Sequence, residues 1–207
     1  MFDLNMELMQ KGGVLMYPIF LLSVLALAIF LERLVTLRSS VYVPTDFLNR
    51  LLETLQKKDT ESAKTMCREN KSAVAAVAAD ILDNLDVPLA RLMETAEESG
   101  RFQAKRLERF LPSLQAIASI SPLLGLLGTV FGMIKTFVAI SDQGIGNAQP
   151  LAGGISEALL TTAAGLSVAI PTIIFYYVVR FRSEKITIEL ERAASKIINT
   201  IFKDKEA

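Results

Sequence analysis

The sequence predicts an all-α membrane protein: three transmembrane helices with a helical cytoplasmic extension. Two observations carry this. Three stretches, 12–31, 110–134 and 143–179, are nearly free of charge in a chain of 207 residues that holds 22 basic and 22 acidic side chains. Each reaches or exceeds the ~20 residues that a helix needs to cross ~30 Å of hydrocarbon. The basic residues close to the ends of these stretches are also sorted by side. Arg33, Arg38, Arg101, Lys105, Arg106, Arg109, Arg180, Arg182 and Lys185 fall on one side, Lys11 and Lys135 on the other. The positive-inside rule puts the richer side in the cytoplasm.

Residues 1–11 are then an outer, periplasmic N-terminus, and 12–31 the first span. This span reads as retained and not as a cleaved leader. Asp3 and Glu7 precede it where a signal peptide carries basic residues, and no Ala-x-Ala-like site comes before Glu32-Arg33.

Residues 32–109 form a cytoplasmic helical segment. Pro44-Thr45-Asp46 is a start signal, and Phe47, Leu48, Leu51, Leu52 and Leu55 follow at helical spacing. Lys57-Lys58-Asp59-Thr60 breaks the pattern, with Thr60 as the expected N-cap of a helix over 61–69. An Ala/Val-rich helix is expected over 72–85. Pro88 opens a long pattern in which Leu89, Leu92, Met93, Ala96 and Gly100 recur on one side. No breaker intervenes before Pro112, so this helix is expected to run on into the second span. Its charges, including the Glu97–Arg101 pair, read as a solvated face.

The second span, 110–140, has a face of small and polar groups: Pro122, Gly125, Thr129, Gly132 and Thr136 recur at steps of three and four. Gly128 and Gly132 add a small-x-x-x-small pair. After an outer loop at 141–150, the third span, 151–179, offers a matching face of Ala158, Thr162, Gly165, Ala169 and Thr172. Small residues mark close backbone approach in lipid, where no hydrophobic drive brings helices together. Helix packing is the reading for Gly125, Gly128, Gly132 and Gly165. The remainder, 180–207, is a cytoplasmic C-terminal helix whose stripe of Ile186, Leu190, Ala193, Ile197, Ile198 and Ile201 suits packing on the Pro88 helix or on a neighbouring subunit.

One charge stands inside the third stretch, Glu157. A charged side chain at membrane depth costs on the order of 2.5–3.5 kcal/mol on insertion scales, so such residues mark ion or substrate pathways. The same residue near a helix start also serves as a cap or snorkels outward. With the loop at 141–150, Thr129 and Thr162 each lie ~11 residues inside their spans, roughly 16 Å below the outer surface. Two hydroxyls at one depth on adjacent antiparallel helices suit a shared polar path. Glu157 is ~7–8 Å closer to the outer side, ~140° around the helix from Thr162 but only ~40° from Thr161. Thr161 either joins this stripe or bonds its own helix carbonyl.

Other chemistry is missing. Zero net charge argues against nucleic-acid binding. With no His and the single Cys67, no zinc ligand set, His-containing triad or disulfide framework is expected from one chain. No phosphate loop is present, and Gly144-Ile145-Gly146 lacks the rest of a dinucleotide fingerprint, so no cofactor is expected.

The motifs SPLLGLLGTVFGMIKTF (121–137) and GGISEALLTTAAGLSVAIPTIIFYY (153–177) resemble the signature of the MotA/TolQ/ExbB proton-channel proteins. Three spans, with the segment between the first and second in the cytoplasm, resemble the ExbB/TolQ branch; MotA-type members have four. The departures are Ser121, where Ala is commoner, and Tyr177, where the family often has Asn. The resemblance implies a stator of the bacterial inner membrane: a homopentamer around a dimer of a single-span ExbD/TolR-type partner, which brings an essential Asp into the pore. By the same resemblance Thr129, Glu157 and Thr162 match the family's pore Thr, Glu and Thr. Glu157 is then expected to exchange or gate protons, and a TonB/TolA-type protein to receive the work. An ExbB-like role in TonB-dependent outer-membrane transport is the first reading and a TolQ-like role in envelope integrity the second. A non-conducting membrane scaffold is a rival from another class. Thr161 beside Thr162 adds an oxygen, which leaves both H⁺ and Na⁺ open as coupling ions.

Overall fold

A computed structural model describes residues 11–144 and 148–203. Among these residues every regular element is a helix: α1 (Met16–Thr36), α2 (Ser39–Tyr42), α3 (Thr45–Gln56), α4 (Thr60–Glu69), α5 (Ala73–Asp83), α6 (Leu89–Leu107), α7 (Leu111–Gln143) and α8 (Ala148–Lys203). Three of them, α1, α7 and α8, are long and apolar enough to cross a membrane. Residues 1–10 and 145–147 of the expected outer N-terminus and loop, and 204–207 of the expected C-terminal helix, lie outside the described residues.

The chain divides into two compact units. The first takes the described residues up to Glu32 together with Phe110–Val178. Its helices turn large apolar side chains outward: Leu123 and Phe137 are 62% exposed and Leu159 66%. A surface of this kind suits hydrocarbon, since soluble monomers rarely expose contiguous apolar area. Between helices the contacts are specific. Phe30 of α1 stacks on Phe175 of α8 with ring centroids 4.0 Å apart. Pro122 and Pro171 sit inside α7 and α8 without ending them, as lipid-embedded helices allow.

The second unit, Arg33–Arg109 with the residues from Val179 on, has a core of the opposite kind. Leu51, Val74, Val77, Ile81, Leu92, Leu190 and Ile197 are buried together. The C-terminal stripe is thus covered by helices of its own chain, with Leu92 and Ala96 of α6 in the same cluster. The Arg182 guanidinium donates to the Leu34 carbonyl at 3.0 Å, satisfying one orphan acceptor at the end of α1. Ser39 donates to the Glu189 carboxylate.

Two local expectations change. The helix opened by Pro88 does not run on into the second span: α6 ends at Leu107, and α7 starts at Leu111 with Pro112 in its first turn. Proline acts on the turn before it, because its ring clashes with the carbonyl four residues back and it lacks an N–H to donate. A restart at that point, where first-turn N–H groups have no partner anyway, is the unstrained solution. The N-cap of α4 is Asp59 and not Thr60; its carboxylate accepts from the Ser62 N–H at 3.0 Å. The Ser62 hydroxyl and that N–H hold the Asp59 carboxyl below the usual carboxylate value.

Cys67 is 3% exposed in the core of the second unit. Burial, with the Asp83 carboxylate adding to it, pushes the thiol up to about 11. The folded chain holds this proton more tightly than the unfolded one, whose thiol ionises near ~8.5. Stability from this group is therefore complete below the unfolded value and is lost as pH rises through that window toward 11. At pH 8 a maleimide is expected to label native Cys67 slowly and denatured Cys67 fast. Equal rates would contradict the burial.

Candidate functional site

The site is built on the seam between α7 and α8, antiparallel neighbours in the first unit. Small residues set its closeness. A Cβ added at Gly125 would lie 3.0 Å from the Thr162 Cα and the Thr161 carbonyl oxygen. At Gly132 it would lie 2.6 Å from the Gly154 carbonyl, and at Gly165 2.5 Å from that of Ser121. At Gly128 it would overlap the Thr161 side chain itself. Each glycine is where the other helix's atoms already occupy the place of a side chain. Gly154 is a further such position, closed against Thr136, and the glycine spacing that singled out α7 did not reveal it.

The hydroxyls are all engaged. Thr129 donates to Leu126 O at 2.6 Å and Thr162 crosses the seam to Gly125 O at 3.0 Å, so two threonines converge on adjacent carbonyls of α7. Thr161, 1% exposed, is shared between the Glu157 and Ala158 carbonyls at 2.9 and 3.0 Å. Its own-helix bond is thus realised, and the same rotamer faces Gly128. The Thr129 and Thr162 hydroxyls thus reach carbonyls one residue, or about 1.5 Å of rise, apart on α7, although the Thr162 backbone itself lies opposite Gly125.

Glu157 lies toward the α7 C-terminal end of this seam. Its two oxygens accept from the Lys135 ammonium of α7 at 2.6 and 2.7 Å. The Glu157 side chain is 16% exposed and that of Lys135 57%. Gly13, at φ +71°, packs its backbone against the carboxylate so closely that a Cβ would overlap Oε1. A left-handed conformation and that proximity both require glycine. A cavity of about 240 Å³ adjoins the pair, lined by Gly12, Val14, Leu15, Phe131, Ile134 and Thr161 among others. Sequence reasoning treated Lys135 only as a flank charge for orientation. The signal was present: the register that puts Thr129 level with Thr162 also puts Lys135 level with residue 156.

No group of three or more His, Cys, Asp or Glu capable of holding a metal occurs among the described residues. A larger cavity, about 470 Å³, lies in the second unit between α6 and α8, floored by Val77, Ala96, Leu190 and Ile198.

Comparison with known proteins agrees with the motifs. The family described as the MotA/TolQ/ExbB proton channel family matches residues 55–192. The Synechocystis biopolymer transport protein designated ExbB-like 3 is 32% identical over 188 residues, covering 83% of this chain and 82% of that protein. ExbB of Aquifex aeolicus is 43% identical over 83 residues, 40% of this chain and 56% of its own. TolQ of Haemophilus influenzae is 43% identical over 74 residues, 36% of this chain and 32% of its own.

Proposed function

The chain belongs to the MotA/TolQ/ExbB proton channel family, in its ExbB/TolQ branch, and from that premise we propose that it is the ExbB-like subunit of an ion-driven stator. That it is a membrane protein of the proton-channel stator type, and of a family of channels rather than enzymes, follows from the membership itself. The finer reading is that five copies surround a dimer of an ExbD-type single-span partner. Ion flow along the α7–α8 seam then drives work on a TonB-type protein for outer-membrane transport. The N-terminus and the 141–150 loop face the periplasm, and both 32–109 and 180–207 face the cytoplasm.

One observation supports this reading above the others. The single carboxylate of the third span, Glu157, is held on a helix seam beside Thr161, with Thr162 and Thr129 following along it. A scaffold needs the close packing of the glycines but has no use for a carboxylate there, since such a group carries an insertion cost. The partner's Asp completes the relay, because these described helices offer one membrane carboxylate only.

Native mass spectrometry of the chain purified from membranes, with and without a co-expressed ExbD-type partner, tests the assembly. A pentamer that takes up two partner copies is expected. A monomer or dimer that ignores the partner would overturn the stator reading in favour of a scaffold. A TolR-type partner taken up in preference would move the role to envelope integrity, which the Haemophilus TolQ similarity makes the second reading.

A further inference from the structure

Within the Glu157 site the anion and its counter-ion are held very differently. Glu157 is short, 16% exposed, and confined between α8 and the left-handed turn at Gly13. Lys135 reaches it from the other helix through four methylenes, with more than half of its side chain exposed. Both carboxylate oxygens are taken by the one ammonium. While it is docked, the site is net neutral and each carboxylate oxygen already carries the ammonium contact, so a second cation meets a positive charge there. Because the anion is caged and the cation is on a flexible stem, the pair opens by Lys135 turning out and not by Glu157 turning away. Once it has left, an uncompensated carboxylate faces the cavity beside Phe131 and Ile134, a setting that favours uptake of a cation.

We infer that Lys135 is a tethered counter-ion that closes the ion site, so that each passage of an ion requires its displacement from Glu157. It is a gating residue that acts through Glu157, competing with the transported cation for the same two oxygens. This inference rests on the proposed conduction along the α7–α8 seam. It assigns the resting, closed state to a residue of this chain and not to the partner.

The test uses the full complex with its ExbD-type partner in liposomes, with passive flux read by an internal pH dye under an imposed gradient. Lys135→Met, which keeps the length of the side chain and removes its charge, is expected to raise resting flux severalfold. Lys135→Gln should do the same, and Lys135→Arg should return it to the wild-type level. The leak should disappear in Lys135→Met combined with Glu157→Gln, because it runs through the freed carboxylate.

Flux in both neutral variants equal to or below wild type, with assembly intact by native mass spectrometry, would overturn the gate. So would a leak that persists in the double variant. Loss of assembly in both neutral variants, repaired by Arg, would make the pair a structural tie and overturn the gate as well. Equal flux in wild type and in Glu157→Gln alone is a different failure, that of the conduction reading on which the gate depends.

Discussion

Replacing Glu157 with Gln is expected to lower proton flux through the complex to that of empty liposomes while leaving the complex assembled. The substitution keeps the volume of the side chain and its ability to accept a hydrogen bond, and it removes both the charge and the carboxyl group to which the proposed relay assigns proton exchange. Its effect on folding is small, because the counter-ion has somewhere to go: the Lys135 stem is 57% exposed and long enough to snorkel toward the membrane interface. The Thr161 bonds are to backbone carbonyls of residues 157 and 158 and survive the change. Function and stability therefore separate at this position. Flux measured under an imposed gradient, beside native mass spectrometry of the same preparation, checks the result. Unchanged flux in an intact complex would return Glu157 to the role of a charge that ties α8 to α7.

Much of this was legible in the sequence, and for a physical reason. Lipid-facing helices must be long and uncharged, so 12–31, 110–134 and 143–179 stand out without any tertiary information. The stripe from Ile186 to Ile198 was equally legible, since burial on one helix face leaves a 3.6-residue period; the structure adds that its cover includes Leu92 and Ala96 of the same chain. What was missed involves two elements at once. Lys135 looked like a flank charge because its meaning depends on which residue of the next helix stands beside it. Gly154 carries no pattern of its own; only the arrival of Thr136 makes a side chain impossible there. The break before Leu111 was missed because Pro112 was read as the first possible stop, when a proline reaches back a full turn.

Gly128→Ala is expected to damage the seam more than Ala at Gly125 or Gly132. Added Cβ atoms at Gly125 and Gly132 would meet the facing helix at 3.0 and 2.6 Å, whereas at Gly128 the new atom would overlap the Thr161 hydroxyl and crowd its Cβ. Thr161 is 1% exposed and its short branched side chain is pinned by two carbonyl bonds, so no rotamer clears the space. The helices must part, and overpacking of that kind costs about 1–3 kcal/mol, or more where the neighbour cannot yield. Parting α7 from α8 also stretches the Thr162 bond to Gly125 and the reach of Lys135 to Glu157, so flux should fall together with thermal stability. Adding Thr161→Gly removes the obstructing side chain and should recover much of the loss in a double-mutant cycle, less the roughly 1 kcal/mol of a glycine inside a helix. If Gly128→Ala melts like wild type, or if Thr161→Gly deepens its defect instead of relieving it, then the two residues are not in contact and the register of the seam is different.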